Sequence, residues 1–250
     1  MKARSARRAA TAATAAAVLC LTAACGGASS GDAAADDQAA KEKPAVSSAG
    51  GESVRSTGET LSEGELKRVA LASGDVPGFA VAPTAGGGET GSERAEQPEC
   101  QALADVINGA PEPSPSATVL RTLMDESEEG RDDQTVVTEI LTSYPRATGA
   151  AQVLRGVSKA VGACAGGFRT TGGDGPSTYT RVERLPAPKA GQEALAYQVT
   201  GSFEGTKVPL VFQLVRSGST VVIFYAANFV DAGTPEIPAR LATAQAAKLP

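Results

Sequence analysis

The most constraining feature of the sequence is a pair of adjacent strand-like segments that are apolar on both faces. Residues 207–216 contain the run VPLVFQLV, and residues 219–228 contain VVIFY. Successive side chains of a strand point to opposite faces, so both faces of these segments need apolar cover. A turn at Ser217-Gly218 joins them and makes them antiparallel. The fold must therefore bury this sheet between other elements, and helices are the natural cover.

Apolar periodicity along the rest of the chain predicts the helices and strands that could cover this sheet. Ser62 and Glu65 have the spacing of a helix capping box, and Pro at the first helical position after Thr234 marks the start of a last helix. We predict an α+β domain in which about four helices pack on a twisted antiparallel sheet of about six to seven strands. The helices are expected near residues 62–74, 98–108, 145–164 and 234–248, and the strands near 79–83, 117–124, 135–144, 177–184, 194–203, 207–216 and 219–228.

The N-terminus has the layout of an export signal. Four cations precede an acid-free apolar run that is too short to span a bilayer, which predicts a signal peptide over residues 1–24. Residues 21–25, LTAAC, resemble the lipobox of bacterial lipoproteins, which implies that Cys25 is diacylated and becomes the new N-terminus. Cys20 is a poorer candidate because the large Leu19 precedes it. An ordinary secreted protein, or twin-arginine export through Arg7-Arg8, is the alternative.

Residues 25–60 hold almost no large apolar side chain and predict a disordered tether of roughly 30 to 35 Å root-mean-square span. The whole chain has a formal charge of −5, and loss of the signal peptide makes it more acidic. An acidic domain is repelled by anionic headgroups, so the lipid on Cys25 would hold it at the extracellular face of the cytoplasmic membrane. Residues 61–250 form the predicted folded domain.

The two remaining cysteines are predicted to pair. Cys100 shares one helix face with Leu103 and Ile107, and Cys164 continues the apolar face of the next helix, so both thiols point inward. Thiols in an exported protein meet an oxidising compartment, which favours a disulfide. The alternative is a reactive or metal-binding thiol, but the chain has no CxxC motif and no His.

A family resemblance follows from these features taken together. The first helix runs into SGDVPGF, Tyr144 precedes the long helix, and one Cys lies in the second helix and one at the end of the third. Over about residues 61–250 the arrangement resembles the PknH-like extracellular domain family, the sensor domains of actinobacterial membrane kinases and of free-standing lipoproteins. The resemblance implies an α+β fold with a ligand-binding cleft and no enzymatic activity. It assigns Cys100 and Cys164 a structural role.

Composition and motifs exclude much chemistry. No His means no Ser-His or Cys-His nucleophile pair, and the acidic charge argues against nucleic acid as a partner. Gly86 to Gly91 matches GxGxxG formally, but no helix starts there. The acidic residues 125–133 nearly mimic a calcium loop, but Val136 stands where its final Glu belongs. We therefore expect no cofactor, metal or catalytic residue, although a carboxylate pair for glycoside hydrolysis remains open.

The double-sided apolar strands also favour binding. Helices would cover the sheet entirely, or leave a groove lined partly by Tyr197, Phe212 or Tyr225 for an apolar ligand or an envelope protein. The predicted function is a lipid-anchored, non-catalytic ligand-binding or sensor-type domain that needs a partner protein to signal. The alternatives are an envelope carrier of a lipid or other apolar molecule, and a structural protein-interaction module.

Overall fold

The structure is a computed structural model, which describes residues 58–85, 90–128, 135–173, 175–203, 205–229 and 233–250. The predicted signal peptide, Cys25 and nearly all of the predicted tether lie outside the described residues. So do most of the formal GxGxxG match and the tip of the acidic loop. None of the described helices has the length and apolarity needed to cross a membrane.

One antiparallel sheet organises the described residues, with four α-helices packed on it. The helices are α1 (Glu63–Val69), α2 (Gln101–Ile107), α3 (Ala147–Ala163) and α4 (Ala239–Lys248). The strands are β1 (Phe79–Pro83), β2 (Arg94–Ala95), β3 (Ala117–Asp125), β4 (Val136–Ser143), β5 (Phe168–Thr171), β6 (Ser177–Leu185), β7 (Glu193–Phe203), β8 (Thr206–Ser217) and β9 (Thr220–Ala227). Their order across the sheet is β1-β3-β4-β9-β8-β7-β6-β5-β2. The predicted fold class is confirmed, but the sheet has nine strands because β2 and β5 are too short to show an alternating pattern.

The first helix begins as predicted and ends earlier. Ser62 Oγ accepts from the Glu65 N–H, and the Glu65 carboxylate accepts from the Ser62 N–H, which completes the capping box. The helix ends at Val69 rather than at Ser73-Gly74. Beyond it the Ala72 N–H donates to the Asp75 carboxylate at 2.8 Å, so a side chain replaces the next helical acceptor.

The last helix begins later than predicted, with its N-cap four residues after the predicted cap at Thr234. Pro238 is the N-cap residue, with ψ 131, and a proline disfavours helical backbone at the residue before it. That residue, Ile237, is buried, and its carbonyl accepts from Gln213 Nε2 at 2.8 Å. Residues 234–238 are therefore held in non-helical conformation against the sheet.

Both faces of the sheet carry helices. On one face, α2 and α3 cover alternate residues of the central strands, including Leu210, Phe212 and Leu214. On the other face, α1 and α4 cover the intervening residues, including Val211 and Val215. We call these the α2/α3 face and the α1/α4 face. The predicted demand for cover on both sides of residues 207–228 is confirmed.

The predicted disulfide joins the two helices of the α2/α3 face. Cys100 ends a 3₁₀ turn that leads into α2, and Cys164 caps the C-terminus of α3. The two residues are bonded, both are buried, and their Cα atoms lie 6.0 Å apart. The bridge therefore fixes the start of α2 to the end of α3 above the sheet.

We expect the double substitution Cys100→Ala/Cys164→Ala to lower the free energy of unfolding by about 4 kcal/mol, because the bridge closes a long loop in the unfolded chain. The sequence separation of the two cysteines is 64 residues. Guanidinium unfolding with and without reductant measures the effect. Reductant should weaken the wild type and leave the double variant unchanged, and a wild type insensitive to reductant would contradict the expectation.

Candidate functional site

Two side chains hold the segment from Gly91 to Ala95 against α2: Gln101 in the helix and Asn108 at its C-cap. Asn108 Oδ1 accepts from the Glu93 N–H at 3.1 Å, and Asn108 Nδ2 donates to the Glu93 carbonyl at 2.8 Å. Gln101 Oε1 accepts from the Ala95 N–H at 2.9 Å. A Cβ at Gly91 would lie 2.5 Å from Asn108 Oδ1, so only glycine allows this approach. These contacts fix the position of the Glu93 backbone.

Three hydroxyl groups hold the half-buried carboxylate of Glu93. Thr170 Oγ1 donates to it at 3.0 Å, Ser177 Oγ at 2.5 Å and Tyr179 Oη at 2.8 Å. Burial and the neighbouring Glu93 carboxylate both raise the pKa of Tyr179, which keeps its hydroxyl protonated as a donor. Hydroxyl groups from β5 and β6 thus hold the Glu93 carboxylate in one position.

Two open clefts flank this carboxylate. One has a volume of about 490 Å³ and the other of about 480 Å³. Both are lined by residues 91–93 and Asn108. Clefts of this size are typical of small-molecule sites, which usually carry a few fixed polar groups. Glu93 lies where the two clefts meet.

The clefts differ in polarity. The first adds Arg94, Gln101, Asp105 and Glu112 to the shared residues. Burial raises the pKa of Asp105, with a smaller contribution from the Glu112 charge, while the hydrogen bond from Gln101 opposes both. Carboxylate and amide oxygens make this cleft rich in hydrogen-bond acceptors.

The second cleft is lined by Gly173, Gly175, Pro176 and Ser177 and by the apolar residue Ile107. It therefore offers a polar floor at Glu93 and an apolar wall. No group of three or more His, Cys, Asp or Glu residues suited to a metal ion occurs within the described part of the chain.

The three aromatic residues predicted to line a groove lie side by side on the α2/α3 face. Tyr197, Phe212 and Tyr225 occupy matching positions on β7, β8 and β9 and stack with ring centroids 5.0 and 5.1 Å apart. Tyr197 is 0% exposed and Phe212 is 1% exposed, whereas Tyr225 is half-buried. The structure places the first two in the core, and ligand contact by any of the three stays a prediction.

The sequence analysis did not identify Glu93 as a site residue. Its hydroxyl partners follow it by 77, 84 and 86 residues. No local pattern joins positions so far apart, and Asn108 before Gly109 looks like an ordinary helix end.

A second carboxylate is perturbed but lies inside the domain. Glu139 is 0% exposed on the α1/α4 face, and neither carboxylate oxygen makes a well-formed hydrogen bond to a described residue. Burial raises its pKa to about 7, although the nearby Leu71 N–H and the charges of Arg121 and Lys248 oppose the shift. Neither cleft beside Glu93 includes this residue, so we assign it to the core.

Comparison with known proteins adds a family. The family model described as the PknH-like extracellular domain matches residues 61–248. Among solved structures, the chain is similar to the extracellular domain of PknH from Mycobacterium tuberculosis, with 14% identity, a TM-score of 0.48, and coverage of 76% of this chain and 95% of that chain. It is also similar to an uncharacterised protein from Mycobacterium smegmatis, with 16% identity, a TM-score of 0.38, and coverage of 74% and 94%. No curated protein matches the sequence significantly.

Glu139 should make the domain less stable as the pH rises. Its folded pKa of about 7 exceeds the ordinary value of 4.5, so the folded state binds the proton more tightly. The free energy of unfolding therefore falls by roughly 3 kcal/mol between about pH 4.5 and 7 and is constant above pH 7. Glu139→Gln should flatten this dependence and raise stability at pH 8.

Urea unfolding at pH 5 and pH 8 tests the prediction, with Glu96→Gln as the matched control at an exposed glutamate. The control should keep the wild-type difference between the two pH values. A Glu139→Gln variant that keeps it too would show that Glu139 does not titrate as described.

Proposed function

The chain belongs to the PknH-like extracellular domain family, and from this premise we propose that it is a non-catalytic, sensor-type domain that binds its ligand at Glu93. The match over residues 61–248 confirms the resemblance predicted from the sequence. Membership in this family establishes that residues 61–248 form an extracellular, sensor-type domain. The ligand site and the lipid anchor are the finer parts of the proposal.

One observation carries the ligand site. The Glu93 carboxylate is fixed by three hydroxyl donors at the junction of two open clefts. A side chain held this way keeps one geometry before a ligand arrives, and preorganisation of that kind favours binding. A carboxylate buried only for stability needs no open cleft beside it.

Binding is favoured over catalysis by the groups at the site. Catalysis of acyl or phosphoryl transfer needs an accessible nucleophile with a base of its own, or a metal. Here the hydroxyls of Thr170, Ser177 and Tyr179 share one carboxylate, Thr170 and Tyr179 are buried, and the sequence has no His to serve as a further base. The arrangement orients an acceptor, and this favours binding.

The chemistry of the clefts also sets the ligand class. Among the described residues that line the first cleft, Glu93, Asp105 and Glu112 are acidic and Arg94 is basic, and Gln101 and Asn108 add amide groups. An anionic ligand would meet repulsion from three carboxylates. We therefore propose a ligand that presents hydroxyl or ammonium donors to Glu93.

The anchor is proposed from the sequence around Cys25. Small residues precede this cysteine, an apolar run precedes them, and the segment up to residue 57 is poor in large apolar side chains. A lipid on Cys25 would hold the domain at the membrane, and the long segment would leave it free to meet ligands or a partner protein.

We expect Glu93→Gln to abolish ligand retention without unfolding the domain, because the amide oxygen still accepts on one side and the amide NH2 can donate to a hydroxyl oxygen on the other, but the charge is lost. Native mass spectrometry of the full chain, extracted gently from the envelope, measures the non-covalent adduct. Glu96→Gln is the control, since Glu96 lies three residues away on the exposed side. An adduct retained equally by both variants, or missing from the wild type, would contradict the site.

We expect Cys25→Ser to remove metabolic labelling by palmitate and the diacylglyceryl mass from the purified chain. Cys20→Ser should keep both, because the lipobox resemblance points to Cys25. Intact-mass analysis of the two variants measures the outcome. Label lost from Cys20→Ser but kept by Cys25→Ser would move the anchor to Cys20.

A further inference from the structure

A pocket of about 240 Å³ lies between helix α3 and strands β6 and β7, and we call it the arginine pocket. Arg155 and Ser158 of the helix line it, together with Arg184 of β6 and residues 193–195 at the start of β7. The buried side chain of Leu154 closes its apolar side. The arginine pocket shares no described lining residue with the Glu93 clefts, so its chemistry is separate from theirs.

The guanidinium group of Arg184 is held in place by the helix. Its Nη2 atom donates to the Ser158 carbonyl at 3.1 Å and to Ser158 Oγ at 2.9 Å. Both acceptors are neutral, so these bonds orient the positive charge of Arg184 without neutralising it. Its Nε and Nη1 donors form no hydrogen bond within the described part of the chain. Arg184 thus presents a fixed cation with unused donors.

The positive charge of the arginine pocket is not balanced by an acid. Among the described residues, neither Arg155 nor Arg184 forms an ion pair. The described lining residues include the carboxylate of Glu193, but its Oε1 lies 3.2 Å from Arg216 Nη2. The Arg216 side chain is only 13% exposed, so it needs Glu193 as its own partner. Two unpaired guanidinium groups therefore line one small pocket, and their mutual repulsion favours an anion between them.

Helix α3 adds to this positive field. Its residues 147–163 include Arg155 and Lys159 but no Asp or Glu. Both cations are exposed, and their spacing of four residues places them on one side of the helix, where like charges are destabilising. In α1, by contrast, Lys67 has Glu63 as its partner at the same spacing. The chain as a whole has a formal charge of −5, so this cluster of cations is a local feature of the arginine pocket.

We propose that the arginine pocket binds a phosphomonoester group through the guanidinium groups of Arg155 and Arg184. Guanidinium groups bind phosphate oxygens through pairs of N–H donors. A phosphomonoester carries a charge of about −1.5 to −2 near neutral pH, which matches the two arginines. A carboxylate or a phosphodiester carries a single negative charge and would leave one arginine unbalanced. This site goes beyond the proposed function and does not depend on Glu93.

NMR titration of the full chain carrying Cys25→Ser with inorganic phosphate tests the proposal, at pH 8 and constant ionic strength. The Nε–Hε signals of the arginine side chains report binding, and those of Arg155 and Arg184 should shift and saturate. Dimethyl phosphate and acetate, which are monoanions, should bind about tenfold more weakly because each forms fewer charge-assisted hydrogen bonds.

Variants locate the site. Arg155→Gln should weaken phosphate binding about tenfold and leave the fold intact, because its side chain is exposed. Arg184→Gln should also weaken binding, although it removes the contact with Ser158 as well. Arg146→Gln is the matched control, since it removes the same charge from an exposed arginine at the N-cap of α3, and it should change nothing. Glu93→Gln should also leave phosphate binding unchanged, so this proposal and the proposed function can fail separately.

Two further probes distinguish the sources of a phosphomonoester. Competition by glycerol 3-phosphate would support a soluble ligand. Flotation with phosphatidylcholine vesicles that contain phosphatidic acid, lost in Arg155→Gln, would support a lipid headgroup. Three results would overturn the proposal: equal weakening by Arg155→Gln and Arg146→Gln, equal binding of phosphate and acetate, or no saturable shift at Arg155 and Arg184.

Discussion

The strands at the centre of the sheet are apolar on both faces, and the rest of the structure depends on that constraint. Strands β8 and β9 place large side chains alternately beneath α2 and α3 and beneath α1 and α4. The described helices have 7, 7, 17 and 10 residues, which is little cover for nine strands. The disulfide between Cys100 and Cys164 keeps α2 and α3 together over one part of their face.

Glu93 and Glu139 carry the same carboxylate side chain in two different environments. Glu93 is half-buried, accepts from three hydroxyls and borders open clefts, which is the basis of the proposed ligand site. Glu139 is enclosed and lacks well-formed hydrogen bonds, so burial raises its pKa to about 7. Its effect is confined to the pH dependence of stability. Hydrogen-bond donors and access to solvent, rather than residue type, distinguish a candidate site carboxylate from a core carboxylate.

Strong local signals predicted the parts of the fold that they control. The apolar runs within residues 207–228, the Ser62–Glu65 capping box and the inward-facing Cys100 and Cys164 were sufficient for the central sheet, the first helix start and the disulfide. Strand β2 has two residues and exists because Asn108 and Gln101 hold its segment, so no pattern announces it. The Glu93 site is assembled from partners about eighty residues away, and the start of α4 is set by Pro238 and by the contact of Ile237 with Gln213. Such features arise only from tertiary contacts.

The proposed ligand site depends on the fixed carboxylate of Glu93 at the junction of two clefts. The most direct test is methyl-detected NMR of the full chain, in which nuclear Overhauser effects are recorded between butylamine and protein methyl groups. The account predicts effects to Ile107 that are lost in Glu93→Gln, and none to Leu66 or Leu241 on the α1/α4 face. Effects to the α1/α4 face alone, or effects to Ile107 that Glu93→Gln keeps, would contradict it.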